Sequence, residues 1–233
     1  MMNYPRHVAI IADGNRTRAK EQWLPSMDWH FAWAKKTIEL FEYIFEHTPI
    51  NVVTWWFLST ENLKWRSPEE VAFIFYILQI LGNDMDEFMK KYHINFRWIW
   101  NSAGLPENTI QFLQNKEKNF SFPDSPKTIV FAINYGWRDE IIRWIKNIPK
   151  DKIDTLNEDD FGQYLDLWNI EPVELVIRTK WDKAHRTSWF MARWIWYAEL
   201  YFAKDYYPGL TTEKLEESFR RFDSIAEDRN YGK

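Results

Sequence analysis

The chain has 233 residues, a formal charge of −4 and no cysteine. That length can bury a sizeable core, the missing thiols exclude disulfides and thiolate metal sites, and the acidic balance argues against nucleic acid as the main partner. The five histidines (His7, His30, His47, His93, His185) show no paired metal-ligand spacing.

No Pro/Gly/Ser-rich linker, repeat or low-complexity tract divides the sequence, which reads as one domain over residues 1–233 with a tail from about 227. The first apolar run follows Met1 too closely to leave room for a signal peptide. No apolar run reaches the roughly 18 residues of a membrane span. A cytoplasmic location is therefore expected.

Val8 to Ala12 is a continuous apolar run without alternation, the pattern of a parallel strand covered on both faces. It delivers Asp13, Gly14, Asn15 and Arg16 to the carboxyl end of that strand, where open α/β sheets bind ligands. Arg16, Arg18 and Lys20 make this a basic cluster in an acidic chain. A carboxylate, a glycine and several cations at a sheet edge suit a metal-bound phosphate; the plain alternative is an Asp-Gly turn with solvated arginines.

A helix capped by Ser26 or Asp28 is predicted to run to about His47, with Ala34, Ile38, Phe41 and Phe45 at helical spacing. Asn51 to Leu58 reads as a second buried strand and brings Ser59, Thr60, Glu61 and Asn62 to the same edge as Asp13. Pro68-Glu69-Glu70 suits a first helical turn. From Val71 to Leu81 that helix is apolar on every side except Gln79, so it is expected to be buried or to line an apolar cavity.

Asn95 to Trp100 is a third strand, Pro106 to Lys118 a surface helix and Thr128 to Asn134 a fourth strand. A helix begins after Asn134-Tyr135-Gly136-Trp137-Arg138, where free amides can hold a phosphate. Lys146 to Asp160 reads as a polar, mobile connection. Glu174 to Ile177 is a short strand ending at Arg178, and an arginine there needs a partner, for which a phosphate is well suited. Helices are expected from about Ser188 to Ala198 and from Thr211 to Ile225. Alternating strands and helices imply an α/β fold with a mainly parallel central sheet.

Five segments, in order, carry a resemblance: His7 to Lys20, Ser59-Thr60-Glu61-Asn62, Asn134-Tyr135-Gly136-Trp137-Arg138, Val176-Ile177-Arg178-Thr179, and Tyr197-Ala198-Glu199-Leu200-Tyr201-Phe202. Together they resemble the cis-prenyltransferases, the undecaprenyl diphosphate synthase family, over nearly the whole chain. The resemblance implies an apolar tunnel between the sheet and two helices, and condensation of isopentenyl diphosphate with an allylic diphosphate. It implies Mg²⁺ as cofactor, a homodimer whose C-terminal tail completes a neighbour's site, and membrane contact only through the lipid product.

By that resemblance Asp13 is the essential acid and Asn62 lies near the reacting carbons. Gly14, Asn15, Arg16, Arg18, His30, Ser59, Glu61 and Arg66 are placed on substrate. Arg178, Arg186 and Ser188 are placed on the diphosphate of isopentenyl diphosphate, and Glu199 is placed beside Asp13 on the metal. Thr17 and Ser26 depart from the family pattern, which has arginines there. A bulky Phe57, where the long-chain bacterial enzymes tend to carry a small residue, implies a product shorter than undecaprenyl diphosphate. The alternative is a non-catalytic partner subunit of a two-component enzyme, which usually loses the metal-binding acid. A trans-type synthase would need Asp-Asp-x-x-Asp motifs, and a nucleotide-binding protein a Walker or Gly-x-Gly-x-x-Gly loop; neither is found.

The composition is unusual in holding 15 Trp against 7 Gly, where ordinary usage predicts about 16 glycines. Trp23, Trp29, Trp33, Trp100, Trp137, Trp181 and Trp189 stand where the family pattern has glycine. The expectation is that the gene reads UGA as glycine.

Overall fold

The computed structural model describes residues 2–14, 26–101, 103–157, 160, 162–167, 169–180, 187–188, 190–191, 194–226 and 228, without the side chains of 26–30 and 100. Six strands form one sheet in the order β3-β4-β2-β1-β5-β6, and every neighbouring pair is parallel. They are β1 (His7–Ile11), β2 (Val52–Ser59), β3 (Asn95–Trp100), β4 (Thr128–Tyr135), β5 (Leu175–Arg178) and β6 (Glu199–Phe202). All residues of β1 and β4 are buried, as expected of interior parallel strands covered on both faces.

The helices are α1 (Ser26–His47), α2 (Thr60–Trp65), α3 (Pro68–Asp84), α4 (Asp86–Lys91), α5 (Glu107–Asn119), α6 (Trp137–Asn147) and α7 (Thr212–Ser224). Their starts follow the local chemistry. Ser59 Oγ accepts from the Asn62 amide at 3.0 Å and Ser67 Oγ from the Glu70 amide at 3.2 Å, each satisfying a first-turn donor. Pro68 then fills the first turn of α3 without wasting an amide.

Two cores result. One packs Trp33, Leu40, Phe41 and Ile44 of α1 and Ile74, Phe75, Ile77 and Leu78 of α3 against Val53, Trp55 and Phe57. The other packs Trp144 of α6 with Phe190, Met191 and Trp194 against Ala9, Ile11, Val130 and Ala132.

Three expectations are corrected. Of the two readings for helix α3, complete burial does not hold: Ala72 and Tyr76 are exposed, while Ile74, Phe75, Ile77, Leu78 and Leu81 form the buried stripe. No helix spans Ser188 to Ala198; the described residues there form turns, and Ser188 and Met191 take left-handed backbone at φ 52° and 48°, which breaks a helical path. Polar Lys146 to Asp160 is partly structured, with α6 running to Asn147 and a 3-10 segment over Lys150–Thr155. No helix among the described residues is long and apolar enough to cross a membrane.

Candidate active site

The carboxyl edge of the sheet collects the polar residues that end β1, β2, β4 and β5. Parallel registry sets their levels: Ile11 pairs with Arg178 and Ser59 with Tyr135. Asp13, two residues beyond Ile11, therefore lies next to Arg178 although 165 positions separate them.

Arg178 Nε donates to Asp13 Oδ2 at 3.0 Å and Nη2 donates to the same oxygen at 2.5 Å, so both bonds fall on Oδ2 and none on Oδ1. Arg178 Nη1 donates to Ser188 Oγ at 3.2 Å. The Arg178 side chain is only 15% exposed and that of Asp13 43%, so a mostly shielded cation faces a carboxylate that water and ligands can reach.

The turn after β1 depends on Gly14. Its φ is +102°, and a Cβ there would fall 2.2 Å from Tyr206 Cδ1, so neither backbone nor space admits another residue. Tyr207 N donates to Asp13 O at 3.1 Å, binding the loop after β6 to the same turn. A second close approach sits at Gly136, where a Cβ would lie 2.6 Å from Thr60 Oγ1; the bare backbone lets the starts of α2 and α6 meet. Asn134, at φ 50°, donates through Nδ2 to Asn101 O at 2.8 Å and Ala103 O at 3.0 Å, fixing the end of β4.

Behind this edge, α6 buries a carboxyl group. Tyr135 hydroxyl donates to Glu140 Oε2, and burial raises the Glu140 pKa to about 8. Arg143 pairs with Asp139 and Asp166 at 2.8 Å each. The amino edge is different. His7 is fully buried with Nδ1 donating to Glu171 O at 2.6 Å, so Nε2 accepts from Thr54 Oγ1 at 2.7 Å. Burial lowers its pKa to about 4.

Asp13, Gly14, Arg178 and Ser188 are brought together by these elements, and Ser59 reaches the same edge as the cap of α2. Glu61 and Asn62 are exposed on α2, and Arg66 is engaged by Glu70 of α3 at 2.9 Å. Glu199 is not brought to Asp13 within the chain: it opens β6 opposite Leu175, three residues before Arg178, which leaves it roughly 16 Å from Asp13 along the strand direction. Asn15, Arg16, Arg18 and Arg186 lie outside the described residues, and His30 lies on α1 with its side chain outside them. Among the described residues no three His, Asp or Glu side chains form a metal cluster.

Residues 11–232 match the family model for the putative undecaprenyl diphosphate synthases. The chain is 37% identical over 215 residues to a tritrans,polycis-undecaprenyl-diphosphate synthase (geranylgeranyl-diphosphate specific) of Thermoplasma volcanium, covering 88% of this chain and 80% of that one. It is 34% identical to the isoprenyl transferase of Treponema denticola, covering 97% of each. Among solved structures, lavandulyl diphosphate synthase from Lavandula x intermedia, in complex with dimethylallyl diphosphate, superimposes with a TM-score of 0.85 at 26% identity, over 94% of this chain and 95% of that one. A probable undecaprenyl diphosphate synthase of Campylobacter jejuni covers 100% of both chains with a TM-score of 0.77 and 29% identity.

An all-parallel six-stranded sheet with an acid and an arginine crossed at its carboxyl edge is thus the scaffold of an isoprenyl transferase. The chain belongs to the undecaprenyl diphosphate synthase family.

Proposed function

We propose that the protein is a Mg²⁺-dependent cis-prenyltransferase that condenses isopentenyl diphosphate with an allylic diphosphate to give a Z-polyprenyl diphosphate. The observation that carries this reading is the Asp13–Arg178 pair at the sheet edge, which offers an oxygen donor and a shielded cation within one hydrogen bond of each other.

The residues present suit Mg²⁺, a hard ion that usually takes one or two carboxylates and completes its shell with substrate phosphate and water. Asp13 supplies the carboxylate, with Oδ1 outside the Arg178 pair. Magnesium, when bound, would draw charge from the departing diphosphate. Arg178 and Ser188 donate to diphosphate oxygens, and Asn62 stands by the carbons. In the reaction the isopentenyl double bond attacks the allylic carbon, the carbon–oxygen bond to diphosphate breaks, and loss of a proton leaves the cis double bond. Glu199 can join the metal shell only from another copy, consistent with the proposed homodimer.

The product is proposed to be shorter than undecaprenyl diphosphate. Phe57, which is not among the glycine-like tryptophans, lies 5.6 Å from Trp55 and 6.3 Å from Phe131, ring centre to ring centre, and Phe131 lies 5.4 Å from Trp55. These buried rings fill the space between α1 and the sheet, through which an apolar tunnel would run. The protein is taken to work in the cytoplasm and to meet membranes only through its lipid product.

Incubation with labelled isopentenyl diphosphate, allylic primers of increasing length and Mg²⁺, followed by product sizing, tests all of this. The expected result is metal-dependent chain extension; no incorporation with any primer would overturn the reading.

A further inference from the structure

Thr179 follows Arg178 and is completely buried. The β1–β5 ladder ends at Ile11 and Arg178, yet beside the Arg178–Asp13 pair a second side chain continues the contact between the two segments. Thr179 Oγ1 accepts from the Asp13 amide at 2.8 Å and donates to the Asp13 carbonyl at 2.8 Å. One hydroxyl thus bridges both backbone groups of the residue that carries the site's carboxylate, with Ile11 O a longer alternative acceptor at 3.4 Å. The Thr179 amide donates to Ile11 O at 3.2 Å, which fixes the threonine itself.

A restraint is needed at this point. Asp13 is followed by Gly14 at φ +102°, and glycine places almost no steric limit on rotation about its backbone. The Asp13 carbonyl also accepts from Tyr207 N at 3.1 Å and the Asp13 amide approaches Ile11 O at 3.1 Å, but Thr179 Oγ1, at 2.8 Å from each group, is the shorter contact and the one that holds both. The backbone of the adjoining Lys180 is held in turn, its amide donating to Asp205 O at 2.6 Å.

We propose that Thr179 is a positioning residue for the reaction: its hydroxyl sets the backbone of Asp13 so that the carboxylate meets the metal–diphosphate group. This rests on the reading of Asp13 as the metal-binding acid. Thr179 touches neither substrate nor metal; it acts through Asp13.

The test compares Thr179→Val, which keeps the shape and removes the hydroxyl, with Thr179→Ser, which keeps the hydroxyl. Thr179→Val should lower kcat/KM on the order of a hundredfold, the size expected from a shift of about 1 Å at a reacting group, and should raise the Mg²⁺ concentration for half-maximal rate. Thr179→Ser should recover most of both. Two readouts do not depend on turnover: Mg²⁺ binding in the presence of inorganic pyrophosphate, by calorimetry, should weaken in Thr179→Val, and exchange of the Asp13 amide should speed up.

Wild-type Mg²⁺ dependence and wild-type Asp13 exchange in Thr179→Val would overturn the positioning role. If that happened while Asp13→Ala was inactive, the acid's role would stand and only the tether would fall. Should Thr179→Val not fold, the wild-type protein decides: the Asp13 amide must exchange slowly without substrate, and fast exchange there overturns the proposal.

Discussion

Both ends of the β1–β5 pair are fastened by an arginine and carboxylates, and the two fastenings differ in what surrounds the charge. At the amino edge Arg6 reaches Glu171 at 3.1 Å and Glu174 at 3.4 Å, with 57% of its side chain exposed. Water screens such pairs and leaves them worth about 0–1 kcal/mol. At the carboxyl edge Arg178 is largely withdrawn from water and must always face an anion. The first arrangement is a surface clip; the second joins a shielded cation to a carboxylate that water can reach.

The sharpest way to break this contrast is Asp13→Ala. It should abolish turnover while circular dichroism shows the fold intact, and unchanged turnover in that variant would remove the chemistry assigned to the carboxyl edge. The same follows if excess chelator leaves the rate unaltered.

Between the two edges lies the aromatic interior, where Phe57→Ala should have the next largest effect. Deleting a buried ring costs about 3–5 kcal/mol, and the space released beside Trp55 and Phe131 should lengthen the product. A wild-type product already of undecaprenyl length would show that these rings do not limit growth.

The edges also titrate in opposite senses. His7 at the amino edge has a lowered pKa of about 4, so the unfolded chain binds the extra proton and stability rises with pH between about 4 and 6.5. Glu140, beginning α6 at the carboxyl edge, has a raised pKa of about 8; there the folded state holds the proton and stability falls as pH rises from about 4.5 through 8. The two slopes oppose one another up to about pH 6.5, above which only Glu140 acts. Denaturant titrations should therefore show up to about 2 kcal/mol lost between pH 6.5 and 8. Glu140→Gln should flatten that decline, and a wild-type curve flat over the same interval would refute the burial argument.

Arg6→Ala, the smallest change, should shift stability by less than about 1 kcal/mol and leave turnover unaltered. A loss of activity there would mean the amino edge is more than a clip.

Much of this was readable from the residues in order. Strands β1, β2 and β4 announce themselves as unbroken apolar runs, and Pro68-Glu69-Glu70 marks the start of α3. Strand β6 was hidden because it is short, half-exposed and at the sheet edge, so no buried run reveals it. Helix α2 is too brief for helical spacing to show. Asp13 and Arg178 were each legible as the end of an apolar strand, but their contact depends on β1 lying beside β5, which only the tertiary pairing decides. Thr179 gave no local sign, since its hydroxyl matters for a backbone 166 positions away. The glycine-like tryptophans are informative in a different way. Trp33 is buried among other rings, and Trp137 begins α6 with its ring 5.4 Å from the Arg138 guanidinium. No tryptophan among the described residues has left-handed backbone.

The position of β1 in the strand order has a consequence for the growing chain. Strand β1 precedes the other five in sequence yet is an interior one, and its two neighbours are made at very different times: β2 soon after it, β5 only after β2, β3 and β4. Strands β1 to β4 can collect into a half-sheet during synthesis, since they are contiguous in the order β3-β4-β2-β1. One flank of β1 then stays unpaired until β5 and β6 arrive. Asp13 acquires Arg178 at that last step, so a nascent or truncated chain ending before residue 175 has most of the sheet and lacks the Asp13–Arg178 pair.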